Sequence, residues 1–358
     1  MSILVVGLLM NLCIARFTKF KYVFLTGHHS LFMACLMSAV LGTAGLSGIE
    51  LILVGGFLMG AWSAISPAIG QSYTSKVTDG DEIALGHFGS LGYYLSAWVA
   101  KYIGKAEEST EDIEIPEKWG FLRDSTLSTA LTMIVFYLIA AIAAGSEFVA
   151  TLSGSMSPYL FAIMSAMNFA VGVAIVYSGV RMILGDLIPA FQGIATKIIP
   201  NAIPAVDCAV FFTYAPTAVV LGFISSFIGG IIGMLILGAV GGVLIIPGLV
   251  PHFFCGATAG IYGNATGGRR GAAVGAFLNG LAITFLPALA LPVLGQLGFQ
   301  NTTFGDADFA VMGLVLGNAF EWIGMAGIYG IVVIAALVLI IPNFIKTKGK
   351  VINYVEED

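Results

Sequence analysis

Few side chains in this sequence can do chemistry, and most of those that can lie in apolar surroundings. Leu25-Thr26-Gly27-His28-His29-Ser30-Leu31-Phe32 sets two adjacent histidines at the head of an apolar segment. On a regular helix the two rings diverge, but at a break beside Gly27 both can face one cavity. Neutral imidazole offers one donor and one acceptor, which suits a polyhydroxylated ligand. The competing reading is an interfacial pair at the depth of lipid headgroups, where histidine costs little. His87, followed by Phe88 and flanked by Gly86 and Gly89, lies just inside another apolar segment behind the acidic stretch Asp79-Gly80-Asp81-Glu82. A broken or re-entrant helix with His and an aromatic at its tip can build a midplane site; a satisfied structural histidine is the plainer alternative. Asp207 enters an apolar run just after Pro200 and Pro204. Prolines make the local backbone irregular, which a membrane tolerates only where protein or water surrounds it. A carboxylate there can accept hydrogen bonds from a solute's hydroxyls, cap the next helix, or do both.

His252 sits in a further proline-broken segment, Pro247-Gly248-Leu249-Val250-Pro251-His252-Phe253-Phe254. With the others it suggests a two-fold pattern, 28/87 and then 207/252, of the kind that inverted repeats produce. Arg181, Asp186 and Glu321 border apolar runs, and interfacial ion pairs explain them equally well. Cys13, Cys35, Cys208 and Cys255 are scattered without CxxC or Cys/His spacing, so buried free thiols are expected, with neither a metal nor a cofactor. No P-loop, HExxH, GxSxG or correctly placed GxGxxG occurs, which disfavours an ATP-driven pump.

The elements that must position these residues are membrane helices. Of 358 residues, 58% are hydrophobic and 10% charged, against about 25% charged in soluble domains. The net charge of −5 and the lack of a basic patch argue against nucleic acid as a partner. The 46 glycines fit close helix packing and helix breaks in lipid. Runs long enough to span recur near 30–48, 49–70, 126–150, 157–181, 208–247 (length for two), 272–297 and 309–341. Shorter ones lie at 1–15, 83–104 and 244–262. About eight to ten spans are predicted. Residues 1–15 are followed rather than preceded by Arg16, Lys19 and Lys21, which reads as the tail of a transmembrane helix and not as a signal peptide. The acidic stretch 105–124 reads as a solvated loop or a partner-docking surface. Arg16/Lys19/Lys21, Arg269/Arg270 and Lys346/Lys348/Lys350 mark three cytoplasmic sites and place the C-terminus in the cytoplasm.

Five segments carry a family resemblance: LTGHHSLF at 25–32, KVTDGDEIALGHF at 76–88, KAEESTEDIEIPEKWGF at 105–121, GVRMILGDLIPAFQGI at 179–194 and IPAVDCAVFFTYAPTAVVLGF at 203–223. In this order they resemble the membrane-embedded enzyme IIC of the ascorbate-type sugar phosphotransferase system (PTS). The resemblance implies an all-α, polytopic transmembrane bundle with broken or re-entrant helices and an internal inverted repeat. It also implies a homodimer in the bacterial inner membrane. Residues 1–358 would form one membrane domain with a V-shaped dimer-contact part, and its substrate core would include about 23–105 and 200–265. By the same resemblance, L-ascorbate or a related acid sugar is taken up and phosphorylated by a separate IIB protein through its phosphocysteine, charged in turn by IIA, HPr and enzyme I. No catalytic residue is implied in this chain. Its substrate contacts carry over to His28, His29, Ser30, Leu31, Phe32, His87, Phe88 and Asp207; His28, His87 and Asp207 fall on matching motif residues, and His29 to Phe32 match in position. Relative to that family the chain starts inside its third helix, so two further helices and their ligand contacts are expected upstream. A proton-coupled secondary transporter, with Asp207 or a histidine titrating, is the alternative.

Overall fold

The computed structural model describes residues 1–114, 118, 125–295 and 303–345. Within them the chain forms helices α1 (Ser2–Phe17), α2 (Gly27–Thr43), α3 (Gly48–Val77), α4 (Ser90–Ile103), α5 (Ser125–Ala144), α6 (Ser146–Ser153), α7 (Pro158–Lys197), α8 (Cys208–Phe211), α9 (Pro216–Ala239), α10 (Leu249–Gly295), α11 (Ala307–Ile323) and α12 (Met325–Ile340). Three short strands, β1 (Tyr22–Phe24), β2 (Ala84–Leu85) and β3 (Ile203–Val206), interrupt them. The chain is a polytopic α-helical membrane protein. Among the described residues, six helices are long and apolar enough to cross a bilayer: α3, α5, α7, α9, α10 and α12 with its closing turn. Apolar side chains such as Val135, Ile139 and Ile142 on α5 and Val171 and Ile175 on α7 are exposed, as lipid-facing residues must be.

The count of six is below the predicted eight to ten spans because several apolar runs are broken into shorter helices and because α10, counted once, joins two of them. The run 208–247 holds one spanning helix, α9, preceded by the four-residue α8. The run 309–341 breaks at Gly324, at φ +61°, into α11 and α12. The runs 244–262 and 272–297 form the two arms of α10, which reverses at Gly267–Gly268. Gly268 takes φ +58°, and a Cβ there would lie 2.3 Å from the carbonyl oxygens of Lys105 and Glu108; only glycine fits this reversal.

The breaks meet in a three-stranded parallel sheet ordered β1-β3-β2. Tyr22, Val23 and Phe24 pair with Ile203, Pro204 and Ala205, while Ala84 and Leu85 pair with Ala205 and Val206. Its physical reason is that irregular backbone in a membrane must find partners within the protein. Pro204 sits at a β2-facing position one residue before the β2 pairing begins, so its missing N–H removes no ladder bond. Gly86 extends β2: its N–H donates to the Val206 carbonyl at 2.7 Å, and a Cβ on it would meet the Ala205 oxygen at 2.3 Å. Side chains close both edges. Asn11 of α1 donates to the Tyr22 carbonyl and accepts from the Phe24 N–H, at 3.2 and 3.0 Å. Gln71 of α3 donates to the Ile83 carbonyl at 3.0 Å. An edge left open here would cost several kcal/mol per unpaired group.

Helix directions follow from the contacts. Gly55 of α3 faces Ile3 and Gly60 faces Asn11, so α1 and α3 run parallel. Tyr329 of α12 donates to Glu50 near the start of α3, and Leu339 near its end packs with Ile14 and Ala64, so α12 runs the same way. Lys101, at the end of α4, lies 5.0 Å over the Tyr73 ring, and Gly267 at the α10 reversal abuts Ala100. One face of the molecule therefore collects Arg16, Lys19, Lys21, Lys76, Lys101, Arg269, Arg270 and residue 345, whose carbonyl accepts from Lys19. Lys346, Lys348 and Lys350 lie outside the described residues.

The first part of the acidic stretch is more than a solvated loop. Glu111 accepts from the Thr217 and Ala218 N–H groups and so caps α9 from a distance. The backbone carbonyl of Glu108 accepts from the Arg269 N–H at 2.8 Å, and Asn264 bonds Thr110 and Ser109. Most of its remainder, 115–117 and 119–124, is outside the described residues.

Candidate functional site

Each of the three strands ends by delivering a polar residue to one place. β1 leads through Thr26 into the first turn of α2, which carries His28 and His29. β2 leads through Gly86 to His87. β3 leads to Asp207, which caps α8 by accepting the Ala209 N–H at 3.1 Å. Because the strands are parallel, these ends point the same way, and they open into a cavity of about 760 Å³ lined by His28, His29, His87, Asp207 and Asp306 with aromatic walls from Phe32, Phe254 and Phe309. That is within the usual range for small-molecule sites, as is the mix of apolar wall and a few convergent polar groups. Cys35 of α2 and Pro251 at the start of α10 also line it. Since α2 runs opposite to α3, the cavity extends away from the basic face.

The polar groups are fixed by their neighbours. His28 Nε2 lies 3.5 Å from Asp207 Oδ2, and His29 Nδ1 lies 3.7 Å from Asp306 Oδ2. The Gly89 N–H donates to His87 Nδ1 at 3.2 Å and the Tyr93 hydroxyl lies 2.9 Å from the same atom. A backbone N–H can only donate, so Nδ1 of His87 is the acceptor and the ring proton sits on Nε2. The His29 ring stacks on Phe309 at 5.6 Å and lies 3.8 Å from the His87 ring, centroid to centroid. His87 thus presents a donor to the cavity and Asp207 and Asp306 present acceptors, and hydroxyl groups can meet both.

The predicted site residues divide. His28, His29, Phe32, His87 and Asp207 line the cavity. Ser30, Leu31 and Phe88 do not. Ser30 is buried and its hydroxyl donates to the Thr26 carbonyl within α2. Leu31 faces a separate groove with Met1, Ile3 and Leu51. Phe88 is fully buried, stacks on Phe24 at 4.5 Å, and supports the site through its backbone: its N–H points to His29 Nδ1 at 3.4 Å and its carbonyl accepts from Asp308. His252 does not join the cavity, so the suggested 207/252 partner of 28/87 is absent from it. It pairs instead with the Ser226 hydroxyl of α9 at 2.9 Å.

Two carboxylates went unmarked in the sequence reading. Asp306 lines the cavity and accepts from the Cys255 thiol at 2.7 Å. Asp308 is wholly buried behind it and accepts from the Ser90 hydroxyl, the Leu91 N–H and the Trp62 indole. The signal was there: Phe304-Gly305-Asp306-Ala307-Asp308-Phe309 sets two acids directly against an apolar run.

Three groups of side chains come close enough to hold a metal ion: His28/His29/Asp207, His29/His87/Asp306 and His87/Asp207/Cys208. The cavity's size, its aromatic walls and the backbone N–H already aimed at His87 Nδ1 suit a polar organic solute better.

A family described as PTS system sugar-specific permease component, EIIC-GAT, matches residues 1–308. The chain belongs to that family. This permease is therefore a membrane transport subunit of a sugar phosphotransferase system. All the cavity-lining residues but Phe309 lie within the matched segment. It is also similar to a protein of Mycoplasma pneumoniae (strain ATCC 29342 / M129 / Subtype 1) named "Ascorbate-specific PTS system EIIC component", at 25% identity over 307 residues. That match covers 73% of this chain and 46% of the relative, so the permease aligns with about half of the longer protein.

Proposed function

We propose that this permease binds L-ascorbate, or a closely related acid sugar, among His28, His87 and Asp207 and presents it for phosphorylation by a separate IIB protein. The observation that carries the reading is the convergence of three strand ends, each with its own polar residue, on one cavity. His87 offers a fixed Nε2–H donor; Asp207 and His28 offer acceptor and donor to neighbouring hydroxyls. The name of the mycoplasma relative supports ascorbate as the sugar. In the transfer, the sugar oxygen bonds to phosphorus as the S–P bond of the IIB phosphocysteine breaks; the hydroxyl proton leaves to solvent and the thiolate stays on IIB, to be recharged by IIA. The permease supplies position and access and no nucleophile.

The basic face is the cytoplasmic one, because basic residues are retained on that side. The described C-terminal end then lies in the cytoplasm and the cavity extends toward the outside, as an outward-facing carrier requires. The substrate core is assigned to about 23–105 and 200–265, within a homodimer in the bacterial inner membrane. Labelled L-ascorbate, offered to cells with and without the partner IIB, tests this. Phosphorylated sugar should accumulate only where IIB is present. Uptake of unmodified sugar without IIB, abolished by an uncoupler, would overturn it in favour of proton coupling through Asp207 or a histidine.

A further inference from the structure

The cavity's charge pattern bears on what it must let go. Two carboxylates open into it, Asp207 at the β3–α8 junction and Asp306 just before α11, with side-chain exposures of 29% and 17%. Each lies near an imidazole, Asp207 3.5 Å from His28 and Asp306 3.7 Å from His29. Asp306 is further held by the Cys255 thiol. Among the described residues that line the cavity there is no lysine or arginine, and the adjoining segment 296–302, QLGFQNT, contains no charged residue. Sites that retain phosphate by side-chain charge are built the other way, from guanidinium or ammonium groups.

We propose that Asp306 is a specificity residue that, with Asp207, makes this cavity retain the free sugar and expel its phosphate ester. This rests on the reading of the site as a phosphotransferase sugar site. An acid sugar carries one negative charge. Phosphorylation adds a group of about −1.5 to −2 charge, and among the described residues that line the cavity no lysine or arginine is there to receive it. Like charges brought together in a poorly solvated site repel strongly. The reaction itself thereby converts a held solute into a rejected one, so release requires no competing ligand.

The test uses the full chain in lipid nanodiscs and titration calorimetry with three probes: L-ascorbate, its phosphate monoester and inorganic phosphate. Wild-type protein should bind the ester about tenfold or more weakly than the sugar, and Asp306→Asn should raise the ester-to-sugar affinity ratio by about tenfold. Asp306→Ser, which still offers an oxygen to Cys255, should do the same if the Asn variant fails to fold. An unchanged ratio in a folded variant overturns the proposal while leaving the sugar reading intact. Failure of ascorbate to bind wild-type protein overturns the choice of sugar instead. Inorganic phosphate then decides the charge filter: a gain of phosphate binding in Asp306→Asn supports it, and no gain overturns it.

Discussion

Replacing Asp308 should loosen the site without touching the cavity wall. The Asp308 carboxylate is fully buried and accepts three hydrogen bonds, from Ser90 at 2.7 Å, Leu91 at 2.9 Å and Trp62 at 3.1 Å. Its own N–H donates to the Phe88 carbonyl at 2.9 Å. One residue therefore ties α11 to α3, to the first turn of α4 and to the turn that carries His87. Hydrogen bonds to a charged group contribute about 1.5–3 kcal/mol each. In Asp308→Ala the loss of three is partly offset by relief of the carboxylate's own burial, leaving a net destabilisation of about 3–5 kcal/mol. At about 2 °C per kcal/mol for a chain of this size, Tm should fall by about 6–10 °C. Asp308→Asn keeps one acceptor and should fall by about half as much. Tryptophan fluorescence during thermal unfolding in detergent measures both, because Trp62 is one of the donors. Calorimetry at a temperature where the variant is folded should show weaker ascorbate binding, since the His87 turn has lost its anchor. If Asp308→Ala melts within about 1 °C of wild type, the carboxylate is not the tie described here.

Three further outcomes follow from the same geometry. Asp207→Asn should fold normally, because Asn caps a helix as well as Asp does, yet bind ascorbate about tenfold more weakly for loss of a charged acceptor; equal affinity would remove Asp207 from the site. Gly86→Ala forces a Cβ to 2.3 Å from the Ala205 oxygen and should cost about 1–3 kcal/mol in stability while displacing His87; a variant with wild-type Tm and affinity would show that the strand approach is looser than described. His252→Gln should lower Tm slightly through the Ser226 contact, by about 1 kcal/mol, and leave ascorbate affinity unchanged, as expected of a histidine outside the cavity.

Much of the site was legible because lipid makes polar residues conspicuous. His28, His87 and Asp207 stood out as groups that hydrocarbon cannot solvate, each beside a glycine or proline that breaks a helix, and the structure brings all three to one cavity. The family resemblance carried the run 28–32 as a block, but a helix turns 100° per residue, so only some of it can face a ligand; Ser30 and Leu31 are on other sides. Asp306 was overlooked because it lies at the edge of an apolar run, where a carboxylate usually meets water. The strands were invisible to any periodicity argument: at two to four residues each they are too short to show alternation. Glycine breaks also escaped the span count, since a run such as 309–341 looks continuous by hydropathy and is divided at Gly324.

Because β1 lies near residue 22 and its sheet neighbour β3 near residue 203, the pocket cannot begin to close until the third strand has been made. The long segment between them must be made before Tyr22–Phe24 finds its mate, and Asn11 is a partner that can hold that ribbon of backbone meanwhile. Long-range pairing of this kind is slow to form. A chain stalled before the third strand emerges would lack Asp207, Asp306 and the sheet that aims the histidines, and so would have no complete place for sugar to sit.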